Sequence, residues 1–194
     1  MSPAIVLPEN FGLLVVCIVV ILAAAWVAAT YNVMVRLRQQ CGESWSGVET
    51  ELRRRYDLIP NLVEMVRGYA QHEREVLQQV IEARSRAVAS TGTPQSQAKD
   101  ENVLIGSLRR LFALSENYPD LKASANFLAL QKELSNTEDR IQAARRFYNA
   151  NVRDLNTRIE VFPSNLIAQV FKFTAREFFE IEEAGSGAAP KVAL

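Results

Sequence analysis

Residues 11–35 read FGLLVVCIVVILAAAWVAATYNVMV, without a charged side chain, and a cation first appears at Arg36. A bilayer hydrocarbon core needs about 20 apolar residues in a helix. Phe11 to Ala29 meets that length, with Thr30, Tyr31 and Asn32 as an interfacial end. A helix satisfies its own backbone hydrogen bonds in lipid, so the segment needs no partner to span. A cleaved secretory signal competes with this reading, because Ala23-Ala24-Ala25 and Val27-Ala28-Ala29 resemble small-residue cleavage sites. The run is longer than an ordinary signal core of about 7–15 residues and no Lys or Arg precedes it, which favours a retained anchor. Cations flank only the far side, at Arg36, Arg38 and Arg53 to Arg55. The positive-inside rule therefore places Met1 to Asn10 outside and the remaining chain in the cytoplasm.

Working outward, the apolar residues Val33, Leu37, Cys41, Trp45, Val48 and Leu52 recur at three and four. The spanning helix is thus expected to continue to about Arg55, roughly 65–70 Å from Phe11 at ~1.5 Å per residue. Gly42 and Gly47 each cost about 1 kcal/mol against Ala and mark where a kink could sit. Asp57-Leu58-Ile59-Pro60-Asn61 predicts a break, since proline disfavours helix at the residue before it and suits the first turn of a new one. A second helix then runs from Pro60 to Val88 on a stripe of Leu62, Val66, Tyr69, Val76, Val80 and Ala83. Ser90 to Gln97 reads as a mobile loop. A third helix carries Leu104, Leu108, Leu111 and Phe112 as far as Tyr118-Pro119, and Asp120 caps a long fourth one. In that fourth helix Phe127, Leu130, Leu134, Thr137, Ile141, Ala144, Tyr148, Val152, Leu155 and Ile159 alternate three and four in a heptad rhythm. Ser164 caps a last short helix with Leu166, Ile167, Val170 and Phe171, and Phe178, Phe179 and Ile181 form a hydrophobic latch. No alternating strand pattern interrupts this. The fold class is all-α: a transmembrane helix continuing into an elongated antiparallel helical bundle. Its parts are a short outer N-terminus (1–10), the span (11–35), a helical domain (36–183) and a disordered tail (184–194).

Lys plus Arg and Asp plus Glu number 22 each, so the chain has no net charge and no field suited to nucleic acid. Cys17 falls within the apolar run and Cys41 just beyond it, which is neither a disulfide framework nor metal-ligand spacing. His72-Glu73 begins like a zinc-protease helix, but Val76 stands where the second histidine belongs and His72 is the only histidine. A triad or a glycine-rich phosphate loop is likewise missing from the sequence, so no catalytic, cofactor-binding or metal-binding residue is expected.

Arg53-Arg54-Arg55-Tyr56 is the densest basic run. It lies roughly 25–30 Å past the membrane on a continuous helix, beyond a Debye length of ~8 Å, and reads as a solvated helix end. Glu138, Arg140, Arg145, Arg146, Asn149, Asn151 and Asn156 flank the long apolar seam and either set register or bind a partner. Candidate partner-binding or register-setting residues are therefore Arg55, Asp57 and Asn61 around the first break, and Arg140, Arg145, Arg146, Tyr148 and Asn149 on the long helix. To these we add Leu37, Trp45, Val48 and Leu52, a face expected to remain partly uncovered and to bind a second copy or a membrane partner.

Trp45-Ser46, Arg54-Arg55-Tyr56-Asp57-Leu58-Ile59-Pro60-Asn61-Leu62-Val63-Glu64 and Gly68-Tyr69-Ala70 with His72-Glu73 resemble the signatures of the LemA family. Tyr118-Pro119-Asp120-Leu121, Leu130-Gln131-Lys132-Glu133-Leu134, Thr137-Glu138-Asp139-Arg140-Ile141, Ala144-Arg145-Arg146-Phe147-Tyr148-Asn149 and Phe162-Pro163-Ser164-Asn165-Leu166-Ile167-Ala168 continue the resemblance in order. At Phe171-Lys172-Phe173 the chain departs from the glycine more usual between the aromatics, and the basic residue often found before the terminal proline is absent near Pro190. The resemblance implies a bacterial inner-membrane protein with a short outer N-terminus, one span and a helical cytoplasmic domain. It implies no catalytic residue and no cofactor, and links to envelope maintenance and, in one branch, to magnetosome membranes. The function expected is a non-enzymatic scaffold or adaptor that assembles with itself. The alternative is an accessory of another membrane protein, such as a protease or a signalling system. An unrecognised hydrolase would need a pocket with convergent acids and bases.

Overall fold

The computed structural model describes residues 10–181, so the expected outer segment before Asn10 and the tail from Ala184 lie outside the described residues. Helix α1 (Phe11–Tyr69) is one element of 59 residues, about 88 Å long at ~1.5 Å per residue. It passes through Gly42, Gly47 and Pro60 without ending, which corrects the break expected at Asp57 to Asn61. Proline has no N–H for the carbonyl four residues earlier, which is that of Tyr56. Arg84 Nε donates to the Tyr56 carbonyl at 2.7 Å, so the bond that Pro60 removes is replaced from another helix.

The real corner is Ala70 to Glu73, after which α2 (Arg74–Ala89) turns back. The following loop is shorter than the expected Ser90 to Gln97. Pro94 takes the first position of α3 (Pro94–Ser115), where its missing N–H has no intrahelical partner to lose. The Thr93 side chain accepts from Ser96 N at 3.4 Å. Asp120 lies in the first turn of a short α4 (Pro119–Lys122) rather than capping the long helix. That helix, α5 (Ala125–Glu160), starts behind Ser124. Helix α6 (Ser164–Val170) follows Pro163. Ser164 does not cap it through its side chain, because its hydroxyl donates to the carbonyls of Arg158 at 2.8 Å and Val161 at 2.9 Å. From Phe173 to Ile181 the chain has no regular secondary structure.

The path is up in α1, down in α2, up in α3 and down in α5, with α1 and α5 forming the principal packed pair. Three apolar clusters stack along α1. Nearest the span, Met34 meets Ile167 and Ala168, with Val27, Ile159 and Phe173 against them. Midway, Cys41, Val48 and Leu52 meet Ile141, Tyr148, Val152 and Leu155. At the far end Ile59, Leu62 and Val66 meet Leu77, Val80, Leu104, Leu111, Phe127 and Leu134. The buried residues of α5 are Phe127, Leu134, Thr137, Ile141, Tyr148, Val152 and Leu155, which keep the heptad steps read from the sequence. Each fully buried Leu, Val or Phe stabilises by about 1.5–3 kcal/mol through removal of apolar surface from water.

Candidate functional site

The middle and far clusters meet at Arg55. It occupies the stripe of α1 that carries Val48, Leu52, Ile59 and Leu62, so helical periodicity turns its side chain inward. Only 1% of the residue is exposed. Nη1 donates to Glu138 Oε2 on α5 at 2.8 Å, and Nη2 donates to Glu101 on α3. The Tyr56 hydroxyl donates to the other oxygen of Glu101. Burial foremost, and then the adjacent Glu101 carboxylate, hold the Tyr56 phenol well above its ordinary range. One α1 turn thus ties down α2 through Arg84, α3 through Glu101 and α5 through Glu138. The solvated helix end expected for Arg53 to Arg55 is corrected at Arg55. Arg53 and Arg54 are exposed, whereas Arg55 faces two carboxylates supplied from residues far along the chain. Arg55 Nε and Glu138 Oε1 are buried without a hydrogen-bond partner among the described residues. They adjoin a cleft of about 240 Å³ whose apolar wall is Ile105, Leu108, Phe112 and Leu134.

A second constellation fastens the chain after α6 along α5. Asn149 pairs in both directions with the Phe179 backbone, Nδ2 donating to its carbonyl at 3.1 Å and its N–H donating to Oδ1 at 2.9 Å. Asn156 does the same with Arg176, at 2.9 Å each way. The Tyr148 hydroxyl donates to the Glu177 carbonyl at 2.9 Å, and Arg145 Nη1 to that of Ile181 at 2.5 Å. Side-chain amides here do for an extended strap what a neighbouring strand would do. Burial pushes the Tyr148 phenol up to about 12, against the opposing influence of Arg176. The strap carries Phe179 edge-on to Trp45, ring centroids 5.3 Å apart, while Tyr148 lies 5.1 Å away. Phe179 and Ile181 are buried and Phe178 partly so.

The face of Leu37, Trp45, Val48 and Leu52, expected to remain partly uncovered for a partner, is buried at Val48 and Leu52 and half-buried at Leu37 and Trp45. Leu37 and Trp45 pack against the cluster that α5 and the strap complete. Asp57, Asn61, Arg140 and Arg146 are exposed, and the structure does not bring them into either constellation. His72 is exposed at the corner between α1 and α2. Nearby, a cleft of about 650 Å³ is lined by Glu64, Arg67, Gln71, Arg74 and Gln78. Among the described residues no group of three or more His, Cys, Asp or Glu is placed to hold a metal ion. Sequence reasoning missed Tyr56, Arg84 and Glu101. Glu101 did leave a signal, since it stands three residues before Leu104 and seven before Leu108, on the apolar stripe of α3.

The other functional surface is the start of α1. It is the one helix among the described residues long and apolar enough to cross a membrane, with a stretch of mean hydropathy 2.9 that no other described residue buries. Leu13, Leu14, Val16, Ile21 and Leu22 are all exposed.

Residues 44–194 match the LemA family. The chain is similar to magnetosome protein MamQ 2 of Paramagnetospirillum magneticum, 26% identical over 180 residues, covering 80% of this chain and 66% of that protein. It is similar to protein LemA of Metamycoplasma hominis, 27% identical over 153 residues, covering 78% of this chain and 69% of that protein. Magnetosome protein MamQ of Magnetospirillum gryphiswaldense is 25% identical over 180 residues, covering 80% of this chain and 66% of that protein. The chain thus spans just under two thirds of the length of these magnetosome relatives. A family match covering α1 from Ser44 onward, the Arg55 cluster, α5 and the strap makes the chain a member of the LemA family.

Proposed function

We propose that the protein is a non-enzymatic scaffold of the bacterial cell envelope, held in the cytoplasmic membrane by residues 11–35 and gathering further copies of itself there. The observation that carries this reading is the continuity of α1, which enters the bundle core as the same helix that presents the bare apolar surface. Most of the polar contacts of Arg55, Glu101, Tyr148 and Asn149 are made with one another, with Glu138 and Tyr56, or with the strap, as in a structural part. Kinship with proteins named as magnetosome proteins supports a role in membrane organisation. The cations after the span orient the N-terminus outward and the bundle into the cytoplasm.

Differently tagged full-length copies, co-expressed and solubilised in mild detergent, should co-purify. A strictly monomeric species at membrane-like density would contradict self-assembly. An adaptor reading has its own support in the outer face of α5, where Phe147 is 64% exposed beside the exposed Arg146. Crosslinking from an Arg146→Cys variant separates the two. A second copy supports the scaffold, and a different envelope protein supports the adaptor.

A further inference from the structure

The corner between α5 and α6 carries a run of bare apolar side chains that the bundle does not use. Phe162 is 74% exposed, Val170 72%, Leu166 50% and Phe171 49%, while Ile167 and Ala168 on the same short helix are buried against α1. Their place along α1 matters more than their exposure. The buried side of α6 packs with Met34 and Val27, and Phe171 stacks on Tyr31 with ring centroids 4.7 Å apart. About 20 residues from Phe11 fill a hydrocarbon core, which puts Val27 inside its last turn and Tyr31 at its edge. A helix lying on Val27 and Tyr31 therefore sits at headgroup depth. Its free side chains continue the apolar surface of the span itself. The charges around it agree: Arg36, Arg38, Arg158 and Lys172 are exposed, and Glu160 is the sole carboxylate between Thr157 and Phe173. The Arg38 guanidinium lies 5.4 Å over the Phe173 ring, an amphipathic pairing suited to an interface.

We propose that the α5–α6 corner is a second membrane contact, in which Phe162, Leu166, Val170 and Phe171 enter the same leaflet as the end of the span and the surrounding cations meet anionic headgroups. Phe and Leu on the apolar side of an interfacial helix bury just below the headgroups, and basic side chains suit that depth because their stems are apolar and their heads wet. The rod is then held to the surface at two points, which fixes its tilt as a single flexible tether would not. The proposal rests on residues 11–35 crossing the bilayer, and its test reads that separately.

Full-length protein with Cys17→Ala and Cys41→Ala, reconstituted into phosphatidylethanolamine and phosphatidylglycerol vesicles, would carry one environment-sensitive fluorophore. It would be placed at Leu166→Cys, at Val170→Cys, at Val20→Cys within the span, or at Val88→Cys at the exposed C-terminal end of α2, level with Leu52 and Arg53 of α1. All four native side chains are exposed in the protein, so the label replaces no core contact. Labels at 166 and 170 should emit to the blue of that at 88 and resist iodide several-fold better. Lipids spin-labelled near the headgroup should quench them, and the label at 20 should respond to deep spin labels. Iodide access at 166 and 170 equal to that at 88, with 20 still in lipid, overturns the second contact and leaves the anchor standing. Shielding from iodide without quenching by lipid labels overturns it in favour of a protein partner on this face. Iodide access at 20 removes the anchor and this contact with it.

Discussion

Arg55 is one cation facing two carboxylates in the middle of an apolar seam. Removing it leaves Glu101 and Glu138 as like charges without a counter-ion, so Arg55→Met should destabilise by about 3–5 kcal/mol. Replacing all three by apolar residues of similar volume should recover most of that loss, because the desolvation cost disappears with the charges. Denaturant unfolding of the full-length protein in detergent checks both. Lys172 is a smaller case. Its φ of 57° lies in the left-handed region, where a side chain costs about 1–2 kcal/mol and glycine costs none. Lys172→Gly should therefore raise stability by about 0.5–1 kcal/mol after its greater unfolded-state entropy is offset. The tyrosines give a pH dependence. Tyr148 has its folded pKa raised from 10 to about 12, so its contribution is full below pH 10 and is lost as pH rises towards 12. Tyr56 is shifted in the same direction. The unfolding midpoint should fall across that window, and Tyr148→Phe should flatten the fall while lowering stability at neutral pH by removing the bond to Glu177. Much at this scale was hidden from the sequence: Arg55 looked like its solvated neighbours because its partners lie 46 and 83 residues away.

Among the elements, α5 was legible because a heptad pattern is local, and the structure buries most of the positions the pattern names, leaving Leu130, Ala144 and Ile159 half-buried. Pro60 was read by the correct local rule and gave the wrong boundary. The rule concerns the residue before the proline and the turn after it, but what α1 had to replace is the donor lost to the Tyr56 carbonyl, and a residue 28 positions on supplies it. Arg84→Met should accordingly cost about 1.5–3 kcal/mol, the range for hydrogen bonds to charged groups. In a Pro60→Ala background, where the helix regains its own N–H donor, the same change should cost less. A coupling of at least about 0.5 kcal/mol in the double-mutant cycle checks the account, and strict additivity would contradict it. The strap was visible only as Phe178, Phe179 and Ile181. The amides that hold it, Asn149 and Asn156, were noticed as polar flanks without a stated partner. A side chain that recognises extended backbone selects no sequence in the segment it binds, so no pattern pointed from one to the other.

Across the whole molecule, the candidate span and the first helix of the bundle are one helix, and this shapes the proposed function. A soluble domain on a flexible tether would sample many orientations, whereas a rod continuous with its span, as proposed, would carry its position in the membrane into every contact it makes. The face of Leu37, Trp45, Val48 and Leu52 shows where reasoning from the sequence stopped. Its apolar character was plain, but what covers it comes from α5 and from residues 178–181, whose docking depends on the full fold. The central claim is that α1 is unbroken from the candidate span to the far end of the bundle. Spin labels on Arg36→Cys and Arg67→Cys, both exposed in the native protein, measure it in the full chain lacking its native cysteines and reconstituted in vesicles. Electron–electron double resonance should give one narrow distance near 46 Å, for 31 residues at ~1.5 Å each. A broad distribution, or one centred below ~36 Å as a turn at Pro60 would produce, would contradict it.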